Sequence, residues 1–212
     1  MAESALTGRR AAIALRHQTG GPSHDPDPPP IPADRRCRAL LASPLPAQQA
    51  PAVIRFPREW LPTDVAINPG LTPGVIHVDT ANTWLYLTLA DGLARRYKIA
   101  VGAAGRNFRG QAHVGRKAEW PPWRPTANMI RLEPEVYGPF AAGLPGGHPL
   151  NPLGARALYL HQGRRDTMYR IHGTPQPWTI GQSFSSGCIR LVNEHAIDLY
   201  DRVPLGTAVH VR

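Results

Sequence analysis

Two residues sixteen positions apart, His172 and Cys188, are of the types and spacing that could do covalent chemistry. A thiol is a weak nucleophile until it loses its proton, and a nearby imidazolium can lower a cysteine pKa from about 8.5 to roughly 3.5–7.5. The segment Ile171-His172-Gly173-Thr174 reads as a strand running into a histidine. Ser186-Gly187-Cys188-Ile189-Arg190-Leu191 then places a cysteine directly after a glycine. A loop folding back between them would bring the two side chains together, and Gly187 would let backbone amides approach a developing oxyanion. On residue types alone two readings stay open, because a lone cysteine is more often a small buried apolar residue and a lone histidine more often structural. The order, histidine before cysteine, differs from the papain arrangement.

The elements that must position this pair are mostly strands. Val75–Asp79 is a short strand pattern, and Thr83–Leu89 alternates so that Leu85, Leu87 and Leu89 share a face. Asp91-Gly92 before a further strand pattern, Ala94–Val101, is a hairpin signal, so the ordered part opens as a β-meander. From Gly102 to Gly154 periodicity is lost while Trp120, Trp123, Met129, Tyr137 and Phe140 crowd together. That stretch is expected to be a long functional loop. Strand patterns return at Ala157–Leu160 and Met168–Ile171. Asn193–Val203 has helical spacing with Asn193 placed as its cap, Pro204-Leu205-Gly206 ends it, and Ala208–Val211 forms a closing strand.

The 212 residues suffice for one domain with a core and a tail, and 24 prolines and 20 glycines argue for a β-rich chain rather than a helical bundle. Two cysteines, Cys37 and Cys188, make no disulfide framework. No C-x-x-C or H-E-x-x-H spacing predicts a metal site. The formal charge of +9 fits a polyanionic partner, but no basic helix or Lys/Arg run interleaved with aromatics points to nucleic acid. No apolar run is long enough to span a membrane. Residues 20–34 hold six prolines and read as linker. Arg9-Arg10 with Ala11–Leu15, and Arg35–Arg38 with Ala39–Ala47, are each short, broken imitations of an export signal, so residues 1–50 are read as leader or linker. Residues 51–72 are expected to be an irregular extension.

His172-Gly173-Thr174, Ile180-Gly181 and Ser185-Ser186-Gly187-Cys188-Ile189-Arg190-Leu191 together resemble the signature of the YkuD-like L,D-transpeptidase catalytic domain family (ErfK/YbiS/YcfS/YnhG type). Asn151-Pro152-Leu153-Gly154 and the Trp-Pro-x-Trp stretch, Trp120–Trp123, resemble further family segments. The resemblance covers about residues 73–212. It implies a mainly β, small sandwich-like or barrel-like domain with short helices and a long active-site loop.

By the same resemblance Cys188 is the nucleophile, His172 its base, and the Gly173 carbonyl orients the imidazole. Gly187 and Ser186 belong to the oxyanion loop that Ser185 braces. Ser186 departs from the family, since many relatives have histidine there. Arg190 pairs with a substrate carboxylate or holds the loop by an internal ion pair. Thr174, Trp120, Trp123 and Asn151 line the substrate site, or, for the tryptophans, form a satellite core. His113, His148 and His161 are given surface roles.

The implied reaction is acyl transfer from a peptidoglycan tetrapeptide stem, with loss of D-alanine, through a thioester to an amine, of which a lipoprotein lysine is one example. It needs no cofactor or metal and a periplasmic, monomeric enzyme. The alternatives are a hydrolase on the same scaffold, acting as an L,D-carboxypeptidase or lipoprotein-releasing amidase, and a non-catalytic wall-binding module.

Overall fold

Apolar alternation sorts the strands' side chains onto two faces: Ile76, Val78, Leu85 and Leu87 are buried while His77 and Tyr86 between them are not. The computed structural model describes residues 54–103, 108–185 and 187–212, without the side chains of Phe184 and Ser185. They fall in the unit Gln49–Arg212. The leader expected over 1–50, with Cys37, lies outside the described residues, as does Ser186.

Eleven strands occur among these residues. They are β1 (Thr63–Ala66), β2 (Ile76–Asp79), β3 (Trp84–Thr88), β4 (Leu93–Lys98), β5 (Val101–Gly102), β6 (Gly110–Glu119), β7 (Arg156–Gln162), β8 (Arg165–His172), β9 (Ser183–Ser185), β10 (Ile189–Arg190) and β11 (Ala208–Val211). Helices α1 (Ala127–Leu132) and α2 (Pro134–Tyr137) lie between β6 and β7, and α3 (Asn193–Arg202) between β10 and β11. Nine strands form one mixed sheet in the order β1-β4-β3-β2-β11-β6-β7-β8-β10, and β5 pairs with β9. The β2-β3-β4 meander turns at Asp91-Gly92, where φ is 58° and 68°, the positive pair that an Asp-Gly hairpin requires.

The sheet closes towards a barrel. Ala100, on the path leaving β4, exchanges two backbone hydrogen bonds with Arg190 of β10, at 2.9 and 2.8 Å. Tyr97, Ile99 and Val101 from one rim thereby join Ile171, Ile189 and Leu191 from the other in a single buried cluster, into which α3 inserts Ala196 and Leu199.

Three expectations are corrected. The long aperiodic loop contains β6, a ten-residue central strand. Its pattern was hidden because Val114 is its one fully buried residue and a register shift between Val114 and Arg116 breaks the alternation. Gly115 at this bulge has no side chain because a Cβ would stand 2.4 Å from the His161 ring. The extension is not wholly irregular, since β1 pairs with β4 at the sheet edge. Asn193 is not the cap of α3, a place taken by Val192 without a side-chain bond. Its Oδ1 accepts instead from the Ala155 amide at 2.9 Å.

The extension is also pinned beside β10. Phe56 and Trp60 pack on a second small cluster of Ala100, Ile180 and Val192. Gly181, at φ +86°, lies under Trp60, and a Cβ there would come within 2.6 Å of the indole. Trp60→Ala is expected to destabilise by about 2 kcal/mol, less than the 3–5 of a fully buried Trp because the ring is half-buried. Urea unfolding checks this, and an unchanged midpoint would mean that the indole contributes nothing to holding this rim.

Candidate active site

The site is built where β8 and β10 run side by side. They pair in parallel with Ile189 opposite Ile171 and Arg190 opposite His172. Both isoleucines are buried in the core. Strand alternation therefore puts Arg170, His172 and Arg190 on the other face, and Cys188, one step before β10, on the same side. The backbone N–H of Arg170 reaches the Cys188 sulfur. Cys188 is half-buried and preceded by Gly187, whose φ of 130° suits glycine.

His172 is 3% exposed, and its Nδ1 lies 2.5 Å from the Gly173 carbonyl oxygen. A carbonyl can only accept, so Nδ1 carries the proton and Nε2 is left as the basic nitrogen. The Gly173 peptide is itself clamped. Its N–H donates to Arg156 O at 2.9 Å. A Cβ on Gly173 would meet Asn193 Oδ1 at 2.3 Å. Gly154, at φ +61°, presses its backbone against the same oxygen and against the Gly173 carbonyl carbon, at 2.3 and 2.6 Å from a built Cβ. The turn Asn151–Gly154, α3 and the end of β8 thus converge on the peptide that orients the imidazole.

The electrostatics weigh against an imidazolium beside a thiolate in the free protein. Burial, together with the Arg190 and Arg170 charges, pushes the His172 pKa down to about 3, against the pull of the Gly173 carbonyl. Burial pushes the Cys188 thiol up, against the Arg170 amide and the Arg170 and Arg190 guanidiniums. Both shifts favour a neutral thiol and a neutral imidazole. Arg190 has its own pKa lowered by burial, with Cys188 and Tyr137 of α2 acting the other way.

Other residues singled out from the sequence are placed differently. Asn151 is 1% exposed. Its amide donates to Pro121 O and Pro145 O at 2.8 and 3.0 Å, and its Oδ1 accepts from Leu153 N. It therefore staples the loop instead of facing a ligand. Thr174 is likewise buried, its hydroxyl accepting from Gln176 N. Trp123 packs against Tyr137 and Phe140 as a satellite core. Trp120 is 51% exposed. Of the surface histidines, His148 accepts from Leu150 N, and His113 and His161 lie 6.0 Å apart on β6 and β7. The sequence reading missed Arg170 and Tyr137. For Arg170 the signal was present, because two residues before His172 on a strand means the same face. No group of three or more His, Cys, Asp or Glu able to hold a metal occurs among the described residues.

The family model described as the L,D-transpeptidase catalytic domain (YkuD) matches residues 73–211. The chain is similar to "Probable L,D-transpeptidase ErfK/SrfK" of Escherichia coli K12, 35% identical over 71% of this chain and 47% of that protein. It is also similar to "Probable L,D-transpeptidase YbiS" of the same strain, 40% identical over 52% of this chain and 35% of that one. The chain thus spans about half the length, or less, of these relatives. A solved structure is 53% identical with a TM-score of 0.51, covering 72% of this chain and 92% of that chain. Its title is "Crystal structure of a Probable carnitine operon oxidoreductase caia from Brucella melitensis".

Proposed function

Because the chain belongs to the YkuD family of L,D-transpeptidase catalytic domains, we propose that it is a peptidoglycan L,D-transpeptidase in which Cys188 carries the acyl group. The observation that supports this reading is the parallel β8–β10 pairing, which sets Arg190 opposite His172 and brings Cys188, two residues before Arg190, to the same sheet face, with the His172 tautomer fixed by Gly173.

In the first step the Cys188 sulfur attacks the carbonyl of the L-centre preceding the terminal D-alanine, and His172 Nε2 takes the thiol proton. The tetrahedral oxyanion forms near the Gly187 and Cys188 amides. The C–N bond breaks, the proton passes to the departing D-alanine amine, and a thioester remains. In the second step an acceptor amine attacks the thioester and gives up a proton to Nε2, and the thiol is restored.

Proton transfer from Cys188 to His172 is uphill in the empty site, where both pKa shifts oppose it. A substrate carboxylate beside Arg190 offsets the positive field at the imidazole and makes the transfer easier. The acylation step is thus coupled to anionic substrate. The site of action is the periplasm, where stems are found. Among the described residues no helix is long and apolar enough to cross a membrane.

Mass spectrometry of purified protein with a disaccharide tetrapeptide, with and without an amine acceptor, tests this. Loss of D-alanine with an amine adduct is expected. Tripeptide alone in both arms would make the protein a hydrolase, and unaltered tetrapeptide would contradict both.

A further inference from the structure

The face that carries Cys188 does not end at β8. Across β8, β7 and β6 the register aligns Arg170, Tyr159 and Arg116 in one row. The Tyr159 ring is flanked by both cations, with the Arg116 guanidinium carbon 3.5 Å and that of Arg170 4.3 Å from its centroid. The two arginines differ in what else they hold. Arg170 is paired with Asp166 through two hydrogen bonds, at 2.7 and 2.9 Å. Arg116 is exposed, and among the described residues no carboxylate pairs with it.

A planar guanidinium fixed against an aromatic ring, with its N–H edges still available, is a preorganised receptor for a carboxylate. Because it lies over Tyr159 it sits above β7, two strand spacings from β10, or roughly 10 Å.

We infer that Arg116, stacked on Tyr159, is an anion subsite that binds the carboxylate carried by the stem-peptide residue before the one whose carbonyl Cys188 attacks. This rests on the transpeptidase reading for the identity of the peptide, and it extends the cleft from Cys188 over β8 to β7. Charge complementarity selects the occupant: the row presents Arg116 to solvent, and the stem is an acidic peptide. Bound there, the peptide has its far end held while Arg190 holds the near end, which fixes its direction across the strands.

The test uses binding, so that it does not depend on turnover. In the Cys188→Ala protein, with and without Arg116→Gln, the Kd is measured for a stem tetrapeptide carrying a free carboxylate on its second residue and for the same peptide amidated there. Arg116→Gln is expected to weaken the carboxylate peptide about tenfold and to leave the amide within about twofold. The inference is overturned by equal affinity of both proteins for the carboxylate peptide, or by equal weakening of both peptides, which would mark a structural role. Absence of binding by the protein that retains Arg116 overturns it too. Selective loss of carboxylate binding, alongside no turnover by the unsubstituted chain, would keep the subsite and reject the transpeptidase reading.

Discussion

Replacing Cys188 with alanine is expected to abolish turnover of a tetrapeptide stem, by roughly 10⁵-fold or more, on the scale seen when a covalent nucleophile is removed. The loss should appear in kcat, because the sulfur forms its bond only as the reaction proceeds and contributes little to ground-state binding. Stability should change by less than about 1 kcal/mol, since a half-buried thiol gives way to a methyl group without leaving a large cavity. Steady-state kinetics beside a urea unfolding curve separates the effects. Activity surviving at the percent level in a well-folded Cys188→Ala protein would remove the thiol from the mechanism.

The second large effect concerns His172. His172→Asn is expected to slow the reaction by about 10²–10⁴-fold, the usual contribution of a positioned base. The pH dependence is the sharper readout. With its pKa pushed down to about 3, His172 is already neutral at any pH above about 4 in the free protein. The acid limb of kcat/KM, which reports the free protein, should therefore fall well below the ordinary histidine value of about 6.5. Half-loss near 6.5 would show an imidazole that is not held in this cationic, buried setting.

Stability follows with a defined sign. The unfolded histidine takes up its proton near 6.5 and the folded one does not, so His172 contributes stability above that pH that is lost as the pH falls towards 3. His172→Asn should flatten that part of the stability profile. Cys188, with its pKa raised, should react with iodoacetamide slowly at neutral pH and faster as the pH rises.

Where local chemistry is decisive, the sequence was readable. The Asp91-Gly92 turn, the alternation around Leu85 and Leu87, the strand ending at His172 and the closing strand at Ala208–Val211 each rest on neighbouring residues. So does the glycine at 154, whose left-handed backbone the Asn151–Gly154 turn requires. Long-range pairing was not readable in the same way. β6 lies at the centre of the sheet, but the Gly115 bulge and its polar faces conceal it. Nothing in Thr63–Ala66 announces that it adds to β4. The field at His172 depends on Arg190 lying opposite it in a parallel ladder closed by a sixteen-residue excursion, and no local pattern encodes that register. Asn151 is a polar residue in a suggestive motif, but its hydrogen bonds go to Pro121, Pro145 and Leu153, partners no local pattern encodes.

The shape of the site also explains why one surface could serve both steps. His172 is oriented through Nδ1 by the Gly173 carbonyl, and Gly154 and the Asn193 side chain pack on that same peptide.

The most direct measurement is an acid quench during turnover of tetrapeptide without an amine acceptor, followed by intact mass and peptide mapping. The account predicts a species heavier by the stem less D-alanine, with the added mass confined to the peptide containing Cys188 and released by hydroxylamine. Added mass at Cys37 or on any other side chain, or product accumulating with no adduct at all, would contradict it.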